Sequence, residues 1–145
     1  RGESSDQYLG MMFWRQPQLS LSATLAPQPP KPAPRTPAEG RVVMLEPVTN
    51  ALTTHSDSMD VGHLLRLMDI ATCASAELFT GHNCVTVAMS DVAMDYTPKL
   101  MDVVELVAEP VLAGRTSLEI DITVTADRYL ASGLSRRGVC TAHFT

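Results

Sequence analysis

GHLLRLMDIATCASAELFTG, residues 62–81, is the stretch that decides the fold. It is apolar at most positions and has almost no polar face, which is typical of a helix that the rest of its domain surrounds. Arg66, Asp69 and Glu77 interrupt it too often for a membrane span. The sequence therefore predicts one long central helix, with Gly81 as its C-terminal stop.

Asp69 stands in the middle of this apolar helix. A buried, ionised carboxylate needs an ion pair, hydrogen bonds or a shifted pKa. Arg66 lies three residues back, within helical ion-pair distance. Asp69 is therefore predicted to have either a structural partner or a chemical role, and the residues alone leave both open.

The chain around the helix has the pattern of β-strands. A short β-prone run from Arg41 is ended by Pro47, and a polar loop that supplies possible N-caps then leads into the helix. Further strands are expected at residues 84–96, 103–113, 116–126 and 139–145, with residues 127–138 as a polar connection. Pro110 implies a sheet edge or a bulge. The predicted class is α+β, a long central helix wrapped by a curved antiparallel sheet.

The first forty residues differ in composition from the rest of the chain. Residues 26–37 are rich in proline, favour extended polyproline II and cannot build a core. We therefore predict an extended tail over residues 1–40 and one domain over residues 41–145. Apolar residues of the tail suit docking on a protein partner: Tyr8, Leu9, Met11, Met12, Phe13 and Trp14. The slightly basic tail, which opens on Arg1, suits a processed mitochondrial import signal, with the cytoplasm as the alternative location.

Charge and cysteine content exclude several classes of function. The formal net charge of the chain is -5, and residues 41–145 carry thirteen acids against seven Lys/Arg, so nucleic acid is not expected as a partner. Cys73, Cys84 and Cys140 are odd in number and widely spaced among apolar residues, which predicts reduced, buried thiols rather than a disulfide framework or a zinc site. No metal-ligand spacing is present, and the absence of a G-x-S-x-G elbow argues against a serine hydrolase.

Three stretches taken together resemble the hotdog-fold acyl-CoA thioesterases of the acyl-CoA hydrolase type. They are GHLLRLMDIA (residues 62–71), VTVAMSDVAMDYTPKLMDVVELVAEPVLAGRTSLEIDITV (residues 85–124) and CTAHFT (residues 140–145). The resemblance covers roughly residues 42–145. It implies a hotdog fold, oligomers formed by pairing of the sheets, and hydrolysis of thioesters in which CoA is part of the substrate and no separate cofactor is used.

The resemblance also implies roles for individual residues. It places the catalytic carboxylate at Asp69, on the central helix at a dimer interface, where it would orient or deprotonate a water. It places CoA phosphates and pantetheine at the turn formed by Gly114, Arg115, Thr116 and Ser117. An Arg beside backbone N–H groups suits a phosphate, although a solvated turn charge is the alternative for Arg115. Arg136 or Arg137 would reach the terminal phosphates from a neighbouring loop.

The loop before the helix departs from the family pattern. Family members usually carry an Asn, a glycine and then a Phe-Gly-Gly run, whose backbone N–H groups polarise the thioester carbonyl. This chain has Thr54 or His55 for the Asn and Asp57 for the first glycine, and only Gly62 of the run is kept. His55 would be an acid or base beside Asp69, or a surface residue.

Two functions of different classes remain. The first is an acyl-CoA thioesterase of weak activity. It is favoured by Asp69 and by the intact stretch AGRTSLEI, residues 113–120. The second is a catalytically eroded hotdog domain that serves as a structural accessory subunit of a large mitochondrial assembly. The altered loop and the Pro-rich tail, which could tie the domain to neighbours, favour the second, and Met101 replaces another usual glycine. The thioesterase is the leading hypothesis.

Overall fold

One long helix packs against a curved antiparallel sheet. The computed structural model describes residues 34–54 and 56–145, so the predicted tail docking and His55 lie outside the described residues. The elements are β1 (Val42–Pro47), α1 (Val61–Thr80), β2 (Val103–Ala113), β3 (Leu118–Leu130) and β4 (Gly133–Phe144). The strands lie in chain order, and each pairs antiparallel with the next. The predicted α+β architecture is confirmed.

Capping residues set both ends of α1. Asp60 is the N-cap, and its carboxylate accepts a hydrogen bond from His63 N at 2.9 Å. Gly81 follows the last turn with φ 74°, a left-handed conformation that glycine adopts without a Cβ penalty. The predicted helix is confirmed to within one residue.

The helix is covered on one side only, which corrects the expectation that the domain surrounds it. Leu64 and Met68 are buried against the sheet, whereas Ile70 and Leu78 are 44% and 56% exposed. The described sheet thus leaves an apolar side of α1 facing outward. Within residues 34–54 and 56–145, no helix is long and apolar enough to cross a membrane.

The inward side chains of the strands form the core with α1. On β3 the predicted alternation is confirmed, because Ile120, Ile122 and Val124 are buried while Asp121 is exposed. β3 and β4 form one long hairpin, so residues 127–138 are not the predicted polar connection. Their polar residues lie on paired strands instead.

A bulge interrupts the pairing of β3 with β4. Val124 lies opposite Cys140, whereas the next residue, Thr125, lies opposite Gly138, so Val139 is an extra residue. Val139 and Cys140 are both buried although they are adjacent in sequence. Between the bulge and the hairpin turn, the alternation of inward and outward residues along β4 is therefore shifted by one position.

Residues 84–96 follow the free edge of β4 without forming the predicted strand. Backbone hydrogen bonds join the segment to β4, among them one from Val87 N to Thr145 O at 2.7 Å. Val85 and Val87 are 82% and 80% exposed. The side chains that would hold a strand in place lack packing partners among the described residues, so this edge stays irregular.

A 3-10 turn at Pro37–Gly40 packs on the domain. Gly40 is buried, and its carbonyl oxygen accepts a hydrogen bond from Ser75 Oγ at 2.7 Å. Gly40 also lies against β2, at Pro110, where the β2–β3 register shifts as the proline predicted. The last residues of the predicted tail therefore contact both the helix and the sheet.

Gly40→Ala is expected to destabilise the fold by about 1–3 kcal/mol, because overpacking forces neighbours to move. A Cβ at this position would lie 2.5 Å from Pro110 Cγ and 2.7 Å from Phe79 Cβ. Gly138→Ala is the matched control, since its Cβ would meet nothing within 4 Å. Urea denaturation of both variants checks the expectation, and equal free energies of unfolding would contradict it.

Candidate active site

Asp69 is hydrogen-bonded to a threonine of the edge segment. Thr86 Oγ1 donates to Asp69 Oδ1 at 2.6 Å. Asp69 is exposed on the uncovered side of α1, and among the ion pairs of the described residues none joins it to Arg66. The predicted burial of Asp69 was therefore wrong, and the alternative of an ion pair with Arg66 is not formed.

A thiol extends this polar contact. Cys73 Sγ lies 3.6 Å from Thr86 Oγ1, and Cys73 follows Asp69 by about one helical turn on the same face. Carboxylate, hydroxyl and thiol thus form one row of polar groups. Sequence reasoning missed Thr86, for which the only signal was its place in the valine-threonine stretch that carries the resemblance. In the part of the chain described here, no group of three His, Cys, Asp or Glu is placed to hold a metal ion.

A cavity of about 270 Å³ opens beside Thr86. Its wall consists of one face of α1 with Cys73, the edge segment with Cys84 and Thr86, and the turn before β3 with Thr116 and Ser117. The structure therefore brings two of the predicted CoA-binding residues together with the hydroxyl that contacts Asp69.

The other two residues of the predicted CoA turn do not line this cavity. Gly114 N donates to Ser117 O at 2.8 Å and closes the turn. A Cβ at Gly114 would lie 2.9 Å from Ser117 Oγ and 3.3 Å from Ser117 O, so the turn is tight at this glycine. Arg115 is exposed at the tip of the turn. The turn thus presents its hydroxyls to the cavity and its guanidinium to solvent.

Arg136, which was predicted with Arg137 to reach the terminal phosphates of CoA, pairs with acidic residues of its own sheet. Its guanidinium donates two hydrogen bonds to Asp127, each at 2.7 Å, and lies 3.3 Å from Glu105. The hydrogen bonds from Arg136 hold the pKa of Asp127 below its usual value. Asp127 is nine residues beyond the start of β3, which is about 30 Å along a strand. In one chain, Arg136 and the neighbouring Arg137 are therefore far from the turn at residues 114–117.

The predicted oxyanion residues are not next to Asp69 within one chain. Thr54 is hydrogen-bonded inside its own loop, to Ser56 Oγ at 3.0 Å and to Ser58 O at 3.3 Å. Gly62 lies in the first turn of α1, on the same face as Asp69 but about 10 Å away along the axis. No single substrate carbonyl can touch both groups of one chain.

At two positions where this chain lacks the glycine usual in the family, the backbone still adopts a glycine-like conformation. Asp57 has φ 54° and Met101 has φ 73°, although neither is glycine. The left-handed region costs a non-glycine residue roughly 1–2 kcal/mol. At these two positions the side chains differ from the usual glycines while the backbone adopts a conformation that glycine favours.

The chain is similar in sequence to two curated proteins. Acyl-coenzyme A thioesterase 11 of Mus musculus is 32% identical over 124 residues, which are 83% of this chain and 20% of the relative. Acetyl-coenzyme A thioesterase of Rattus norvegicus is 34% identical over 87 residues, which are 60% of this chain and 16% of the relative. The chain thus spans about a fifth or less of the length of these relatives. No family model matches it.

Solved structures share the fold. An apo-hexameric acyl-CoA thioesterase aligns with a TM-score of 0.71 and 21% identity, covering 76% of this chain and 69% of that one. A hexameric hotdog fold thioesterase of Campylobacter jejuni aligns at 0.65 and 22% identity, covering 70% and 77%. An acyl-CoA hydrolase of Staphylococcus aureus, solved as an aspartate-to-alanine variant, aligns at 0.70 and 19% identity, covering 76% and 66%. The same hydrolase was also solved as a threonine-to-alanine variant.

The three thiols are expected to differ in reactivity. Cys73 and Cys84 line the cavity and are partly exposed, contrary to the prediction that all three are buried. Cys140 is 4% exposed, and burial raises the pKa of its thiol. We expect iodoacetamide at neutral pH to alkylate Cys140 at least about tenfold more slowly than the other two, because the thiolate is the reactive form.

Peptide mass spectrometry over a time course measures the three rates of alkylation. Cys73→Ser and Cys84→Ser should each remove one fast label and leave the other in place. Fast labelling of Cys140, or slow labelling of both other thiols, would contradict the described cavity.

Proposed function

We propose that this chain, a hotdog-fold relative of the acyl-CoA thioesterases, hydrolyses thioesters of coenzyme A to the free acid and CoA. The observation that carries the proposal is the hydrogen bond from Thr86 to Asp69 beside the 270 Å³ cavity. A carboxylate held in this way has one oxygen bonded to the hydroxyl and one free. The free oxygen is the general base of the reaction.

The reaction needs three groups around one carbonyl carbon. Asp69 takes a proton from a water, which attacks the thioester carbonyl, and Thr86 fixes the orientation of the carboxylate. N–H groups at the start of a helix stabilise the negative charge that develops on the carbonyl oxygen. Gly62 of the same chain is about 10 Å from Asp69 along the helix, so these donors come from a second hotdog domain.

The size of the cavity decides which part of the substrate it holds. Ligand pockets for whole drug-sized molecules occupy about 300–1,000 Å³, so 270 Å³ accommodates the pantetheine arm and the thioester rather than the complete CoA. Thr116 and Ser117 bind the arm, while Gly114 and Arg115 bind a phosphate outside the cavity. CoA enters as part of the substrate, and no separate cofactor is needed.

Variants of the Staphylococcus aureus hydrolase give independent support for the pair. The aspartate and the threonine replaced by alanine in its two variant structures are separated by the same 17 positions as Asp69 and Thr86. We infer that this chain has its reactive pair at the equivalent positions.

The second hotdog domain pairs along the edge formed by residues 84–89. Val85 and Val87 are 82% and 80% exposed, and unpaired edges of sheets favour addition of further strands. Two solved structures that share the fold are hexameric in the crystal. We propose that a second copy covers Ile70 and the edge, which also places donors for the oxyanion near Asp69.

An accessory-subunit role is the alternative function. None of the similar proteins described above is such a subunit, and the intact pair of Asp69 and Thr86 favours the hydrolase. A mitochondrial location remains a proposal that depends on the basic tail alone.

Asp69→Asn is expected to lower kcat/KM for acyl-CoA by about a hundredfold or more, because the amide cannot act as a base. Thr86→Val removes the hydroxyl without changing the shape, and we expect a loss of about tenfold, the scale of one hydrogen bond to a charged group. Thiol release from short and long acyl-CoA substrates measures both variants.

Thr125→Val is the matched control for this experiment. It makes the same chemical change at a buried hydroxyl that has no hydrogen-bond partner among the described residues, so activity and stability should not fall. Wild-type rates at the buffer background, equal to those of Asp69→Asn, would reject hydrolysis and leave the accessory role.

Val87→Asp is expected to convert an oligomeric wild type into monomers, because a charge at a paired apolar edge loses its hydration. Light scattering measures the molar mass. Leu45→Asp, at the opposite edge of the sheet and 59% exposed, is the control and should leave the mass unchanged. A monomeric wild type, or dissociation by Leu45→Asp alone, would contradict pairing at residues 84–89.

A further inference from the structure

A second, smaller cavity of about 150 Å³ lies at the hairpin end of β3. Its lining is mostly polar and shares no residue with the first cavity. Ile120 in the first cavity and Ala126 in the second are about 20 Å apart along the strand. The charged and aromatic residues that line the second cavity are Tyr96, Lys99, Asp102, Arg128 and Arg137.

Asp102 is fully paired by its neighbours. It is 1% exposed and accepts hydrogen bonds from Tyr96 Oη at 2.8 Å, Lys99 N at 2.8 Å and Arg128 Nε at 2.5 Å. Burial, followed by the hydrogen bond to Asp102, raises the pKa of Tyr96, so its phenol stays neutral. Asp102 is thus the one negative charge in the lining of the cavity.

Three cations line the cavity together with this one carboxylate. Arg128 donates to Asp102 and also to Leu100 O at 3.1 Å. Arg137 lies over the ring of Tyr96, with its guanidinium carbon 5.1 Å from the ring centroid. Among the described residues, neither Arg137 nor the ammonium of Lys99 has an ion-pair partner.

The charge at the cavity is opposite in sign to that of the chain. Three cations and one carboxylate leave an excess of two positive charges, in a chain whose formal net charge is -5. Asp102 is already paired by Tyr96, Lys99 N and Arg128, so the pairing of this carboxylate does not explain the charges of Lys99 and Arg137. The preceding residue, Arg136, pairs with two acidic residues on the outer face. Arg137 differs from it because it has no acidic partner among the described residues.

We infer that this cavity binds the phosphate group of a small molecule. Guanidinium N–H groups match the geometry of phosphate oxygens, and the lysine adds a mobile positive charge. A cavity of 150 Å³ holds one or two phosphate groups but no whole nucleotide. The ligand is therefore inorganic phosphate or the phosphate end of a larger molecule that extends into solvent. This inference does not depend on the proposed hydrolysis.

Isothermal titration calorimetry of the 145-residue chain with inorganic phosphate and, separately, with ADP tests the site. Arg137→Ala is expected to raise the dissociation constant at least about tenfold and Lys99→Ala several-fold, since each removes a charge-assisted contact. Arg136→Ala is the matched control and should change the constant by less than about twofold. Lys99→Ala keeps the fold, because Asp102 uses the backbone N of Lys99 and not its ammonium.

The two ligands distinguish the sources of the phosphate. Tighter binding of ADP than of phosphate indicates a ligand that reaches beyond the cavity, and equal binding indicates inorganic phosphate; both support the site. Absence of binding of both at millimolar concentration would overturn it, as would equal weakening by Arg136→Ala and Arg137→Ala. Binding of CoA alone, without phosphate or ADP, would also overturn it and assign these residues to the substrate.

Thr86→Val separates this inference from the proposed function. The variant should bind phosphate like the wild type, because Thr86 lies in the other cavity. Phosphate binding by a chain that does not hydrolyse thioesters would reject the proposed function alone.

Discussion

The buried carboxylate of Asp102 is the constraint on which the rest of the structure depends. Its partners come from separate parts of the chain: Tyr96 at the end of the edge segment, Lys99 in the following turn and Arg128 on β3. The backbone oxygen of Asp102 also accepts a hydrogen bond from Val48 N after β1. A buried charge that loses its partner costs about 3–5 kcal/mol. The hydrogen bonds to Asp102 therefore fix these segments relative to one another. The edge segment that carries Thr86 is fixed at this end.

The exposed side of α1 explains why the carboxylate of Asp69, the proposed general base, is open to solvent in one domain. An apolar helix side and an apolar sheet edge lie next to each other, and Asp69 stands between them. A second domain that covered both would bury apolar surface, as the core of the domain does. It would also remove water from around Asp69, where a lower dielectric strengthens every charge interaction of the reaction. Assembly and catalysis would then require the same surface.

Much of the fold could be predicted from the sequence because local signals agreed with one another. The helix has an apolar run between a capping aspartate and a glycine, and β3 alternates regularly. The hairpin beyond residue 126 could not be predicted, because its charged residues pair across strands, as Asp127 and Arg136 do, and so obscure the alternation. The environment of Asp69 was misjudged for another reason: periodicity cannot distinguish a helix covered by its own domain from one covered by another. Thr86 was missed because a single hydroxyl in an apolar run carries no local signal until its partner on α1 is known.

The bulge at Val139 determines which of two adjacent arginines faces the second cavity. Side chains alternate along a strand, so residues two apart share a face. Because the bulge adds one residue to β4, Arg137 lies opposite Ala126 on the inner face, and Arg136 lies opposite Asp127 on the outer face. If Val139 were paired with Thr125 instead of bulged, regular pairing would place Gly138 opposite Ala126 and Arg137 opposite Asp127, on the outer face. The charge of the second cavity therefore depends on the register of β4 as well as on the identity of its side chains.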